Sequence, residues 1–107
     1  MKVITPKWPT KAGFAAWLKA RGKKTAGICG EPNHCALAEY CRALNPEVQV
    51  VAVNESVISM RFQSSIHQRG FSNWQCRFID RFDFQVDGIG AAREGAMSGN
   101  DALECLR

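Results

Sequence analysis

Apolar residues in this chain recur first at the three-and-four spacing of a helix and later at the two-residue spacing of a strand. Over residues 11–21, Phe14, Trp17 and Leu18 fall on one helical side. Thr10 stands where its hydroxyl can cap the first turn, and Gly22 suits the left-handed position just past the last. Thr25 to Cys29 reads as a brief strand running into a Gly30-Glu31-Pro32 turn, after which Asn33 is placed to cap a second helix. In that helix Leu37, Ala38, Cys41 and Leu44 share one side, Glu39 and Arg42 lie away from it, and Asn45-Pro46 stops the chain from continuing.

The period then changes. Val48–Val53 and Ser56–Phe62 are rich in branched residues and are separated by Asn54-Glu55, which predicts an antiparallel hairpin at about 48–62. Ile58, Met60 and Phe62 alternate toward a core, Ser59 and Arg61 away from it, and Val57 shares the polar side. Gln63–Gly70 reads as a polar connection. Beyond it, Ser72 or Asn73 can cap a third helix whose Trp74, Phe78, Ile79 and Phe82 form an apolar stripe, the expected centre of the core. Residues 84–97, with Gly88, Gly90 and Gly95 and no steady period, read as a loop. Ser98 or Asn100 can cap a last short helix carrying Leu103 and Leu106. These elements predict an α+β fold: three or four helices packed on a small antiparallel sheet. The 107 residues have room for a single domain, 1–107, and their 46% hydrophobic and 22% charged content is that of an ordinary globular chain.

Charge adds an asymmetry to this outline. Residues 1–24 carry Lys2, Lys7, Lys11, Lys19, Arg21, Lys23 and Lys24 and no acid, a net +7. The rest holds seven arginines and ten acids, a net −3, so attraction to a polyanion would centre on the N-terminal segment. No apolar run approaches the roughly 18 residues that span a bilayer, and the start lacks the apolar stretch of a secretory signal. The expected location is cytoplasmic, with no membrane partner. Five cysteines, an odd number, then read as reduced thiols.

Cys29, His34, Cys35 and Cys41 are zinc-type ligands by chemistry, but five residues separate Cys29 from Cys35 and no second close pair follows. No metal is expected, and Cys41 falls on the apolar face with Leu37 and Leu44. Cys35 in the first turn of a helix is a candidate thiol nucleophile, yet its neighbour His34 would point elsewhere on a helix and only His67 could approach as a base. The glycines at 88, 90 and 95 miss the spacing of a phosphate loop, and Asp80, Asp83 and Asp87 read as solvated acids. No catalytic residue and no cofactor is therefore assigned. The candidate binding residues are Lys7, Trp8, Lys11, Lys19, Arg21, Lys23 and Lys24: the cations suit phosphates or acidic surfaces, and Trp8 could stack on a base or dock into a pocket.

The order Phe14-x-x-Trp17-Leu18, Cys35-Ala-Leu37-Ala38-x-Tyr40, a hairpin, Trp74 with Phe78-Ile79 and Phe82, and Asp101-Ala102-Leu103 resembles a loose group of small proteins from bacteria and their phages. The resemblance runs from about residue 14 to 106, lies on core positions and carries no activity with it. In size and type the chain is also similar to anti-CRISPR proteins. Two functions are expected in competition: a non-enzymatic module, such as a phage or mobile-element inhibitor binding a host protein complex, or a small nucleic-acid-binding regulator using the basic segment. A small enzyme built on Cys35 or on the Cys29/His34/Cys35 cluster ranks third.

Overall fold

The computed structural model describes residues 5–54, 56–83 and 95–107. Its first helix, α1 (Lys11–Arg21), starts where the Thr10 hydroxyl accepts the Gly13 amide at 3.1 Å. It ends at Gly22, whose φ of +57° only glycine adopts without strain and whose amide donates to the Leu18 carbonyl. Strand β1 (Thr25–Cys29) follows. Helix α2 (Ala36–Leu44) is capped by Cys35 rather than by Asn33. The reason lies in residues 30–34, which fold back on β1 as a turn closed by Ile28 N–H to the His34 carbonyl (2.8 Å) and His34 N–H to the Glu31 carbonyl (3.0 Å). Asn33 is consumed by that turn before the helix begins.

The hairpin forms as expected from β2 (Val50–Asn54) and β3 (Val57–Arg61), with Val51 paired to Met60 and Val53 to Ile58. Glu55 of its turn lies outside the described residues. The Gln63–Gly70 segment is not a plain connection: Ile66–Gly70 is a strand, β4, paired antiparallel to β3 from Val57↔Gly70 to Arg61↔Ile66. Helix α3 (Asn73–Asp83) opens with a reciprocal cap, since the Gln75 side chain reaches back to accept the Ser72 amide at 2.9 Å. Of the expected 84–97 loop, residues 84–94 lie outside the described residues, and Gly95–Ser98 form strand β5, paired antiparallel to β1. Ser98 then caps α4 (Gly99–Leu106) by accepting the Asp101 amide at 3.2 Å.

The result is an α+β fold in which the described residues form two antiparallel sheets, β2-β3-β4 and β1-β5. Helix α1 packs on α4, α2 lies against β1 and β2, and α3 lies against α4. Phe14, Leu18, Leu37, Cys41, Val51, Ile58, Met60, Phe62, Phe78 and Phe82 are fully buried. Phe14 meets Phe78 edge to face at 4.8 Å between ring centroids, which joins the α1 stripe to the α3 stripe. Each such buried side chain stabilises the fold by about 1.5–3 kcal/mol relative to exposure. Among the described residues no helix is long and apolar enough to cross a membrane.

Candidate binding surface

Helix α1 sends its side chains in three directions, and the basic residues divide accordingly. Phe14 and Leu18 enter the core. Lys11 and Lys19, with Ala15 and Ala16, border a shallow groove against Leu103, Leu106 and Arg107 of the C-terminal end. Trp17 and Arg21 face the other way, toward β1 and α2. Lys23 and Lys24 sit exposed in the α1–β1 turn, where the Lys24 carbonyl accepts the Gly99 amide. Lys7 is exposed in the N-terminal segment, its backbone held by Asn45. The seven candidate residues are thus spread over several surroundings rather than gathered along one track.

A cleft of about 530 Å³ opens between the end of α1, β1 and the start of α2, lined by Trp17, Arg21, Ile28, His34, Glu39 and Arg42 among others. Arg21 is held rigidly in its wall. Its Nε and Nη2 both donate to the Thr25 carbonyl, at 3.2 and 2.7 Å, and its guanidinium lies 5.6 Å from the Trp17 ring centroid. On the α2 side, Arg42 Nη1 donates to Glu39 Oε1 at 2.7 Å, and His34 Nδ1 lies 3.3 Å from the same oxygen. This partly exposed ion pair adds little stability, but it orients Arg42 along the cleft. A second arginine stack lies elsewhere: the Arg69 guanidinium of β4 sits 5.5 Å from the Trp8 ring centroid.

Cys35, the candidate nucleophile, and Cys41 are both buried. Burial pushes the Cys35 thiol up to about 12, outweighing the Ala38 and Leu37 amides that pull it down, and the Asp83 and Glu39 carboxylates push it in the same direction as burial. Burial, with the neighbouring Cys35, likewise takes Cys41 to about 12. At neutral pH both are protonated, whereas attack needs the thiolate. His34 is engaged with Glu39, and His67 with the Ser65 hydroxyl at 3.0 Å. Among the described residues no group of three or more His, Cys, Asp or Glu side chains comes together in a way that could hold a metal ion.

Arg42, Glu39 and Arg69 belong to these surfaces but carried no signal in the sequence, whereas His34 stood out there only beside Cys29 and Cys35 and not as the neighbour of Glu39. Arg42 and Glu39 read as the solvated side of a helix. Arg69 lay in the apparent connection, and only the path of the chain brings it to Trp8. No family model, no curated protein and no solved structure matches this chain.

Proposed function

We propose that the protein is a non-enzymatic interaction module that docks on a partner protein. One observation carries this reading: Arg21 is fixed over Trp17 in the wall of a cleft that Arg42, itself oriented by Glu39, also lines. Tryptophan and arginine are the residues on which protein interfaces most depend. An arginine already immobilised loses little further entropy on binding, and its planar fork can clasp a carboxylate through two hydrogen bonds. Exposed lysines scattered over several surroundings attract polyanions without fixing one. On this reading an acidic face of the partner enters the cleft, and the likeness to small phage and bacterial proteins makes a host protein complex, held by an inhibitor, the expected target.

The test is capture from nuclease-treated bacterial lysate with three proteins: the parent, Arg42→Glu, and Lys19→Ala/Lys23→Ala/Lys24→Ala. A discrete set of proteins retained by the parent and by the lysine variant, and lost with Arg42→Glu, is the expected result. Recovery of mainly nucleic acid from untreated lysate, abolished by salt and by the lysine variant, would replace this reading with the nucleic-acid-binding one.

A further inference from the structure

The two edges of the three-stranded sheet are treated differently by the fold. Along β2 the outward-pointing Val53 amide is taken by the Pro32 carbonyl at 2.9 Å, so the turn before α2 closes that edge at Val53. Along β4 the alternation can be read from its ends. Phe62 N–H donates to the Ser65 carbonyl at 2.8 Å and Phe71 N–H to the Ser56 carbonyl at 2.7 Å. Hydrogen-bonded pairs alternate in an antiparallel ladder, so Met60↔His67 and Ile58↔Arg69 are the bonded pairs between these ends. The N–H and C=O groups of Ile66, Gln68 and Gly70 therefore point away from β3, and among the described residues they meet no backbone partner. All three residues are exposed, Ile66 by 66%.

We propose that this free edge of β4 accepts an extended acidic segment of a partner protein as an added strand. The proposal rests on the protein-docking reading above and gives it a second contact. Charge selects the occupant: the three strands of this sheet carry Arg61 and Arg69 and no acid, and Arg69, on β4 itself, is held over Trp8. A second copy of this chain fits poorly. Antiparallel pairing about Gln68 would put the two copies' Arg69 residues on the same face of the joined sheet with no acid on either strand, like charges at a seam, a known device against self-association of edges. A nucleic acid also fits poorly, since each outward N–H along this edge is accompanied by an outward carbonyl: a second strand satisfies both, whereas phosphate oxygens only accept and would leave the carbonyls unmatched. The added segment should alternate, with acids beside His67 and Arg69 and apolar side chains beside the exposed Ile66.

The experiment uses the whole chain, ¹⁵N-labelled, titrated with a capped octapeptide alternating Glu and Val. Amide exchange at Ile66, Gln68 and Gly70 should slow at least tenfold at saturation. The alternating Lys and Val peptide, and the Glu and Val peptide N-methylated at every second amide, should each bind at least tenfold more weakly. Gln68→Pro removes an outward N–H without touching the β3 ladder, a place where an edge strand tolerates proline, and should abolish binding while the protein stays folded. Binding unchanged by N-methylation, protection at the Trp17–Arg21 cleft in place of β4, absence of binding, or a stronger response of the same amides to a dodecamer of thymidylate would each overturn the proposal. If Gln68→Pro does not fold, the N-methylated peptide on the parent protein decides alone. The Arg42→Glu capture result stands independently, so failure of the edge and failure of the docking reading are separable.

Discussion

Asn45 and Lys7 hold each other by two hydrogen bonds: the Lys7 amide donates to Asn45 Oδ1 at 2.8 Å, and Asn45 Nδ2 donates to the Lys7 carbonyl at 2.9 Å. Nδ2 also reaches the Cys41 carbonyl at 2.9 Å, and the asparagine itself is buried. One side chain thus pins the N-terminal segment to the end of α2 and keeps Trp8 within reach of Arg69. Asn45→Ala should destabilise the protein by about 2 kcal/mol, because it removes both hydrogen bonds that hold the Lys7 backbone and the side-chain bond to the Cys41 carbonyl. For a chain of this size that lowers Tm by roughly 10 °C. A loss under about 0.5 kcal/mol, the size of an ordinary surface substitution, would show that the segment is not held this way.

Gly27 is glycine for lack of space. A Cβ there would run into the backbone of Cys35, at 2.5 Å from its carbonyl carbon, and into the backbone of Ala36. Neither can yield without moving the start of α2. Gly27→Ala should cost about 3 kcal/mol, whereas Gly70→Ala, whose nearest neighbour would be the Ser56 carbonyl at 3.9 Å, should change stability by less than about 1 kcal/mol. Equal effects in a denaturant titration would contradict the close packing of β1 on α2.

Cys76 is exposed, and Cys29, Cys35, Cys41 and Cys105 are buried. An aromatic disulfide reagent at pH 8 should therefore consume one thiol in the native protein and five after unfolding. Folded Cys35 and Cys41 titrate at about 12, against 9.0 for a free thiol. Below pH 9 the stability linked to them is fully present. It is lost as pH rises from 9 toward 12, because the unfolded chain releases these protons first. Two or more fast thiols, or stability flat from pH 8 to 11, would count against this burial.

Asp83 accepts the Gly30 amide at 3.0 Å, yet burial raises its carboxyl above the ordinary value, and Asp80 pushes the same way, against the amide. The folded chain then holds this proton more tightly than the unfolded one, so stability linked to Asp83 falls as pH rises from 3.8 through the folded value. Asp83→Asn keeps an acceptor for Gly30 without the charge. It should be more stable than the parent at pH 7 and lose that advantage near pH 3. The same difference in denaturation midpoint at both values would show that the charge is not the cause.

The helices and the hairpin were legible because their signals are local. Phe14 and Leu18, Leu37 and Cys41, and Phe78 and Phe82 repeat at helical spacing on elements long enough to show it, and all are buried. Strands β4 and β5 were not legible. In β4 the Ile66-His67-Gln68-Arg69-Gly70 run has no apolar face, since an edge strand with a solvated outer side needs none, and in β5 only Met97 is buried. The Asn33 cap was misread for a related reason: Asn33 suits a helix start, but the tertiary turn back to Ile28 claims it first. Of the candidate site, Arg21 and Trp8 were singled out as cations and stacking groups, while their partners were not.

What the sequence by itself determined is therefore the class of fold, the apolar faces of its helices, the hairpin and the excess of positive charge at one end, all of which follow from residue type and short-range period. The tertiary structure alone decided that β1 pairs with β5 across most of the chain, that Arg69 meets Trp8, that the lysines part company around α1, and that β4 meets no strand on its outer side among the described residues. Hydrogen bonds between strands are made by the backbone, which is chemically the same at nearly every residue. Only the packing of side chains far apart in the chain selects which backbones meet and which are left for a partner.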